Sequence, residues 1–444
     1  MFFLLRRAMP AGVLLLGLLA GGAHAVPSYA RQTGSDCAAC HVGAFGPQLT
    51  PYGIQFKLGG YTDTDGKAGK LPLSGMLVAN WTRTQAPLTE APEHFKTNGN
   101  AAVQEASAFL AGRLAEHIGA FMQSTYSGVD RKWAFDQMDL RYARTLSFGD
   151  KEAVAGVSLN SNPTLTDPFN TLGQWRFPYT ESDFGAGFGP TPLVENLAST
   201  VLGLNGYALV GKHWYGELGA YDTLSHRGLR IFNADDPGKF KGLGSYGRLA
   251  YTQDNKRDNW SAGLVAFHAA LQPDRAQLGT ADSFTDLGVD GGYQWLGNRE
   301  HVVSVNASWM HERQRLVFTA ANGGADNPNG SLDTLRVAAS YHWQQTWGAS
   351  VGLFDARGTA DAARFGATSY SATPDTRGYV LQADWTPWGK ETSWGAPWAN
   401  TRVGLQYTGY SRFNGGSHFI DEASGADRAA RDNNTTLLFA WFAL

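Results

Sequence analysis

Residues 286–295 read DLGVDGGYQW, and the order of apolar and polar side chains in this stretch predicts the fold. Apolar or small residues fill every second position and would share one face of an extended chain: Leu287, Val289, Gly291, Tyr293 and Trp295. The positions between them are polar or glycine. A period of two is the pattern of a β-strand whose two faces lie in different environments. The stretch therefore predicts a strand that ends in aromatic side chains.

The same alternation recurs at 137–145, 335–343, 379–385 and 403–407, so many such strands are expected. Several of them begin or end in tryptophan: Trp214, Trp295, Trp343 and Trp385. In a soluble sandwich the apolar faces would point into a core. Repeated aromatic residues at strand ends are instead typical of the girdles at the two surfaces of a membrane barrel. We therefore expect the apolar faces to contact lipid.

The alternating segments number sixteen, and they begin near residues 71, 103, 117, 131, 151, 198, 212, 242, 258, 283, 300, 331, 346, 376, 401 and 434. Long loops and tight turns alternate between them, as in an outer-membrane barrel. Two connections are exceptions. The connection at 128–130 is short although it lies on the side of the long loops, and the connection at 386–400 is long although it lies on the side of the tight turns. The tryptophans of the latter are expected at the inner interface: Trp388, Trp394 and Trp398. The prediction is an all-β, transmembrane antiparallel β-barrel of about 16 strands over residues 71–444, in a bacterial outer membrane.

The composition argues against several functional classes. Charged residues make up 17% of the chain and the net charge is −3, so the basic surface of a nucleic-acid-binding protein is not expected. The sequence has no nucleophile-elbow pattern and no metal triad, which leaves no signature of a hydrolase or transferase. Whether the chain is an enzyme is left open by these patterns.

Residues 1–25 have the pattern of a secretory signal peptide. Arg6 and Arg7 precede an apolar run at 11–20, and small residues follow at Ala23 and Ala25. The run is shorter than the roughly 20 apolar residues that a transmembrane helix needs. We expect cleavage after Ala25 and a mature chain outside the cytoplasm.

The only two cysteines of the chain lie in residues 36–42, which read DCAACHV. In an exported protein this spacing fits a disulfide, half of a zinc site or covalent haem attachment. A zinc site lacks its second pair of ligands. Haem attachment needs two thiols for the vinyl groups and an adjacent imidazole for the iron, and Cys37, Cys40 and His41 supply all three. Haem c is the favoured interpretation, and a disulfide is the alternative.

Residues 26–70 are expected to form a small haem-binding segment. About 45 residues rarely fold without a metal, disulfides or a partner surface. We expect haem and the barrel to complete its core, with Phe45, Tyr52, Phe56 and Leu58 as packing residues. Because a sixteen-stranded barrel leaves a wide channel, the segment is placed in the lumen or across its periplasmic mouth.

The haem iron needs a second axial ligand, and no His or Met lies between Val42 and Gly75. Met76 is the first candidate, because the alternation of the first strand turns it toward the lumen. Three histidines near the periplasmic rim are alternatives: His117, His213 and His342. The long loop at 161–197 is rich in aromatic residues and is expected to fold inward over the haem: Trp175, Phe177, Tyr179, Phe184 and Phe188.

Two N-terminal stretches, ARQTGSDCAACH at 30–41 and PQLTPYGIQFKLGGYT at 47–62, carry a family resemblance. Followed by a barrel pattern, they resemble the fused monohaem cytochrome and porin family of outer-membrane electron-transfer and iron-oxidising proteins. The resemblance implies one haem c on Cys37 and Cys40, with His41 as an iron ligand.

It also implies electron transfer across the outer membrane, between extracellular Fe(II) or another donor or acceptor and a periplasmic c-type cytochrome or other carrier. Outer-membrane lipid is the expected surrounding partner, and no nucleic acid is expected. The alternative is a diffusion porin in which the haem segment acts as a plug or redox gate.

Overall fold

The structure is a computed structural model that describes residues 26–149, 151–276, 279–390, 393 and 400–444. The predicted signal peptide at 1–25 lies outside the described residues, as do Trp394 and Trp398 of the long turn. No helix in the part of the chain that the structure describes is long and apolar enough to cross a membrane.

Sixteen long strands, each antiparallel to the next, form one sheet that closes on itself, because the last strand pairs with the first. Their bounds are β1 (Leu73–Thr84), β2 (Asn100–Ala115), β3 (Ile118–Ser127), β4 (Lys132–Phe148), β5 (Lys151–Asn160), β6 (Val201–Val210), β7 (Trp214–Thr223), β8 (Gly244–Asp254), β9 (Asp258–Gln272), β10 (Asp282–Trp295), β11 (His301–Arg315), β12 (Asn329–Trp343), β13 (Trp347–Gly358), β14 (Thr376–Trp385), β15 (Asn400–Arg412) and β16 (Thr435–Ala443). The closing register runs from Met76 opposite Ala443 to Thr84 opposite Thr435. Every predicted strand begins within three residues of its observed start. The predicted barrel is confirmed.

The outer surface has the alternation that the sequence predicts. In β14 inward positions are buried and outward positions exposed along the whole strand. The four tryptophans predicted for the girdles are 41–55% exposed: Trp214, Trp295, Trp343 and Trp385. Closure pairs the backbone of every strand with two neighbours, which is what allows a sheet to cross lipid. The chain is a porin-like β-barrel of the bacterial outer membrane.

The connections separate into two ends. Tight turns join β2 to β3, β4 to β5, β6 to β7, β8 to β9 and β12 to β13, and they define the periplasmic end. The extracellular loops carry the short elements α4 (His226–Phe232), α5 (Val317–Ala321), α6 (Ala362–Phe365), the strand Lys239–Phe240 and the hairpin His418–Ile420 with Asp427–Ala429. They also hold 3-10 turns at Gly173–Trp175, Leu193–Glu195 and Ala430–Asn433.

The N-terminal segment, residues 26–70, contains α1 (Pro27–Thr33), α2 (Cys37–Cys40), a 3-10 turn at Val42–Ala44 and α3 (Pro51–Leu58). Hydrogen bonds tie it to strands on all sides of the barrel. Tyr29 donates to the Ala120 carbonyl of β3 at 2.8 Å, and Gln294 of β10 donates to the Leu49 carbonyl at 2.7 Å. Of the two placements that the sequence allows, the segment therefore occupies the lumen.

Candidate cofactor site in the barrel lumen

The two cysteines lie on one short helical turn. The Asp36 side chain caps α2 by accepting a hydrogen bond from the Ala39 N–H at 3.1 Å. Residues at i and i+3 share one side of a helical turn, so Cys37 and Cys40 face the same way. No disulfide joins them. Burial raises the pKa of the Cys40 thiol to about 12, whereas the cysteine of a redox-active disulfide usually has a lowered pKa.

His41 follows the turn in extended backbone. Its Nδ1 atom is buried with no hydrogen-bond partner among the described residues. Burial lowers the pKa of the imidazole to about 4, so the ring is neutral at pH 7. Only a neutral imidazole can bind a metal. The state of His41 therefore fits an iron ligand.

One cavity of about 880 Å³ is lined by Cys37, Cys40, His41 and Met76. Its apolar wall is aromatic, and the rings come from the segment, the barrel wall and the longest loop: Tyr29, Phe56, Tyr61, Phe109, Phe121, Trp175 and Trp441. Cofactor sites are mostly apolar cavities of roughly 300–1,000 Å³ with a few placed polar groups. The residues present therefore fit a haem attached through the two thiols.

Of the four proposed axial ligands, Met76 alone is among the residues that line this cavity. Its partly buried side chain packs against the cluster that contains Phe56 and Tyr61. His342 is 5% exposed and lies against Gly43, on the loop that follows the motif.

The other two histidines do not reach the segment. The His117 side chain is 36% exposed and lies 6.0 Å from the ring of Tyr142. The His213 Nδ1 atom lies 2.9 Å from the Thr252 carbonyl, and the ring stacks on Tyr251. The structure thus brings Met76 and His342 to the segment and leaves His117 and His213 at the rim.

The four expected packing residues have different positions. Phe56 lines the cavity. Phe45 and Leu58 are buried but contact the barrel wall, where Phe45 meets Trp441 and Leu58 belongs to a cluster with Tyr207. Tyr52 is only partly buried, and its hydroxyl donates to Asp63 at 2.7 Å. The predicted packing role therefore holds for Phe45, Phe56 and Leu58 but not for Tyr52, and the barrel supplies the rest of the core as expected.

Barrel residues hold the backbone just after the motif. The Arg402 guanidinium donates to the Gly43 carbonyl at 3.0 Å, and the Asn400 amide donates to the Ala44 carbonyl at 2.7 Å. The His342 ring covers Gly43, whose φ is +68°. The sequence does not single out Arg402 and Asn400, because a polar residue at an inward-facing position of a barrel strand is common and does not indicate a partner.

A second set of contacts holds α3. The Arg141 guanidinium is fully buried, pairs with Asp139 at 2.7 Å and donates to the Lys57 carbonyl at 3.2 Å. The Tyr61 hydroxyl donates to the same Asp139 carboxylate at 2.7 Å, and Tyr207 donates to the Leu58 carbonyl at 2.7 Å. The segment is thus tied to β4 and β6 by buried polar groups that have partners.

The longest loop, residues 161–200, folds into the lumen as predicted. Asp167 is fully buried and lies 3.1 Å from Arg248 of β8. The Lys57 ammonium donates to the Asp167 carbonyl at 2.6 Å and to the Asn170 side chain at 3.1 Å. Burial, and then the neighbouring Arg141, lower the pKa of Lys57 to about 7. The loop therefore contacts the segment directly.

Only part of the aromatic set in this loop faces the cavity. Trp175 and Tyr179 line it, and the Lys57 ammonium lies 4.7 Å from the Trp175 ring centre. Phe177 and Phe188 instead pack in a cluster with Phe354 of β13. The aromatic cover is therefore smaller than the sequence suggests.

No protein-family model matches this chain, and no curated protein matches it. Among solved structures it is similar to the outer-membrane protein OmpT of Vibrio cholerae, at 11% identity and a TM-score of 0.44, covering 85% of this chain and 99% of that one. It is also similar to OmpF of Salmonella typhi in complex with daunomycin, at 12% identity and a TM-score of 0.46, covering 84% and 98%. A third structure is the outer-membrane channel DcaP of Acinetobacter baumannii, at 12% identity and a TM-score of 0.45, covering 86% and 100%. All these scores are below 0.5, so the likenesses carry no part of the functional argument.

Proposed function

We propose that this chain carries one haem c in the barrel lumen and transfers electrons across the outer membrane. The external donor or acceptor is Fe(II) or another species, and the internal one is a periplasmic c-type cytochrome or other carrier. The observation that carries the proposal is the single cavity that Cys37, Cys40, His41 and Met76 line together. The family resemblance of residues 30–62 supports the same function.

The residues have distinct roles in this proposal. Cys37 and Cys40 would hold a haem covalently through their thiols, and the His41 imidazole would bind its iron. Met76 would be the second iron ligand, because its side chain lines the same cavity from β1. The haem, when bound, supplies one-electron chemistry at iron. The chain would hold it in place.

Access from outside is supported by the far wall of the cavity. Extracellular residues line it there, among them Val129 and Asp130 from the β3–β4 connection and Asn233 and Asp235 from the β7–β8 loop. Toward the periplasm, the segment continues through exposed residues 65–69 to the start of β1. A cofactor in this cavity therefore lies between the two openings.

A diffusion porin with the segment as plug or redox gate is the second candidate. The sixteen-stranded, porin-like barrel favours it, and the extracellular opening of the cavity would admit small solutes. The two functions differ in what crosses the membrane: electrons in the first, solutes in the second.

The deciding experiment uses liposomes that contain the protein and enclose an oxidised periplasmic cytochrome. With Fe(II) added outside, the wild type should reduce the enclosed cytochrome and the His41→Ala variant should not. A small-sugar swelling assay on the same liposomes measures solute leakage, which should be low for both proteins. Free passage of sugar without reduction of the cytochrome would replace the first function by the second.

A further inference from the structure

We infer that one side of the barrel carries a binding surface for the phosphate groups of lipid A, the phosphorylated glycolipid of the outer leaflet. The surface, called here the arginine belt, consists of outward-facing residues at the extracellular ends of β11, β13, β14 and β15: Arg313, Arg315, Arg357, Arg377 and Arg412. This function does not depend on the haem and goes beyond the proposed electron transfer.

The position of the belt follows from the alternation of β11. Its outward residues are apolar through the middle of the strand, where Val305 is 38% and Trp309 is 40% exposed. The next outward residue after Trp309 is His311, and Arg313 and Arg315 follow on the same face. Both arginines are exposed. Trp309 thus marks the upper edge of the apolar band, and the arginines lie above it. That is the level of the lipid headgroups.

Two nearby strands, β13 and β14, repeat this order. In β13 the exposed Leu353 is followed on the outer face by Asp355 and Arg357. In β14 the outer face runs from Leu381 through Tyr379 to Arg377. Because the strands are paired side by side, the arginines of β13, β14 and β15 lie next to one another, and β12, which carries Asp333, separates them from Arg313 and Arg315 of β11.

Three carboxylates partly neutralise the belt. Asp355 lies 2.7 Å from both Arg357 and Arg377, and Asp375 lies 3.0 Å from Arg412. Asp333 lies 3.0 Å from His311.

Five arginines minus three aspartates leave two positive charges when histidine is neutral. The side chains of Arg313 and Arg315 are exposed and make no hydrogen bond or ion pair with the described part of the chain. Two guanidinium groups are therefore available, next to three that are held in place by carboxylates.

The belt lies on β11 to β15, and the one further outward arginine at the extracellular end of a strand in the described part of the chain, Arg83 of β1, is two strands beyond β15. At the extracellular ends of β5 to β8, the outermost outward positions carry no basic residue: Leu159, Leu202, Asp222 and Ser245. A uniform requirement for charge at the headgroup level would place arginines there as well. A guanidinium presents a planar fork that matches phosphate oxygens in pairs. The belt thus fits the closely spaced phosphates of one bound glycolipid.

The experiment measures binding of bisphosphorylated lipid A to the purified full-length protein in neutral detergent, by native mass spectrometry. The variant Arg313→Gln/Arg315→Gln/Arg357→Gln should bind about a hundredfold more weakly, since each basic side chain at an anionic lipid surface contributes a factor of about five. The matched control is Arg144→Gln, because Arg144 is exposed on the outer face of β4 at the periplasmic end. It should bind like the wild type.

A second arm needs no variant. Wild-type protein should bind lipid A without phosphates as weakly as the triple variant binds the intact lipid, and inorganic phosphate should not displace the intact lipid. Equal binding of both lipids by the wild type, or unchanged binding by a triple variant with the normal heat-dependent gel shift, would overturn the inference. Displacement by inorganic phosphate would also overturn it, because the site would then bind phosphate without lipid.

Discussion

The buried arginines on the inner face of the barrel wall are paired with carboxylates, whereas arginines on the outer face are exposed. On β4, Arg141 points inward, is fully buried and is paired with Asp139, whereas Arg144, three residues later, is exposed on the outer face. Arg248 and Arg402 are also buried and lie 3.1 Å from carboxylates. A buried ion pair adds little net stability by itself but is costly to break. The inner arginines therefore position the N-terminal segment and the long loop, and the outer ones face the surroundings.

The difference between the two arginines of β4 can be tested with one substitution on each face of the strand. Arg141→Met leaves Asp139 buried without its cation and removes the bond to α3, which should cost about 3–5 kcal/mol of stability. Arg144→Met should change stability by less than about 0.5 kcal/mol. Urea titration of the refolded barrel measures both, and limited trypsin digestion should release residues 26–70 in the first variant alone. Equal effects of the two substitutions would contradict the distinction.

The contact between the His342 ring and the loop that follows the motif can be tested at Gly43. A Cβ atom there would lie 2.2 Å from the His342 ring, in a backbone with φ of +68°. Gly66 has a similar φ of +78°, and nothing lies within 4 Å of its Cβ position. Gly43→Ala should therefore weaken docking of the segment by about 2 kcal/mol more than Gly66→Ala does.

Truncating the ring in Gly43→Ala/His342→Ala should restore part of the loss, as judged by protection from protease. If Gly66→Ala is as harmful as Gly43→Ala, backbone strain is the cause and the contact with His342 is not.

The buried ammonium of Lys57 predicts a pH dependence of docking. Burial lowers its pKa to about 7, well below the value in an unfolded chain, so above pH 7 the unfolded state binds more protons. Stability should therefore rise with pH between about 7 and 10, by at most about 1.4 kcal/mol per pH unit. Urea midpoints of the wild type and of Lys57→Met across this range provide the measurement. The same slope in both proteins would assign the effect to other groups.

The smallest structural effect is expected at Met76. Met76→Ala removes a partly buried side chain and should leave the barrel and haem attachment intact. In the proposed haem protein it should abolish a near-infrared sulfur-to-iron band and lower the midpoint potential, since a thioether ligand raises the potential. His342→Ala is the matched control and should keep the band. An unchanged spectrum in Met76→Ala would exclude the thioether ligand.

The barrel was predictable because each strand carries its own local signal. Alternation in stretches such as 286–295 locates the strands, and the length of the connections fixes which end faces the periplasm. The motif at 37–41 was recognisable for the same reason, since all its chemistry lies in five adjacent residues.

The surroundings of the motif were not predictable from local pattern. Arg402 and the Gly43 carbonyl are 359 residues apart in sequence, and the residues next to each of them do not predict their hydrogen bond. The alternation of β12 turns His342 inward but cannot say that its ring meets Gly43 rather than the cavity. Such contacts depend on barrel closure and on how the segment sits in the lumen, both of which are properties of the whole chain.

The central claim is that Cys37 and Cys40 attach a haem inside the lumen. The most direct measurement is the haem content of the denatured chain after export in cells that contain the haem-attachment machinery. The account predicts about one covalently bound haem per wild-type chain, seen as a peroxidase stain on a denaturing gel and in the alkaline pyridine spectrum. It predicts none in Cys37→Ala/Cys40→Ala, with the barrel still folded. A wild-type chain without covalent haem, or a stain that persists in the double variant, would contradict it.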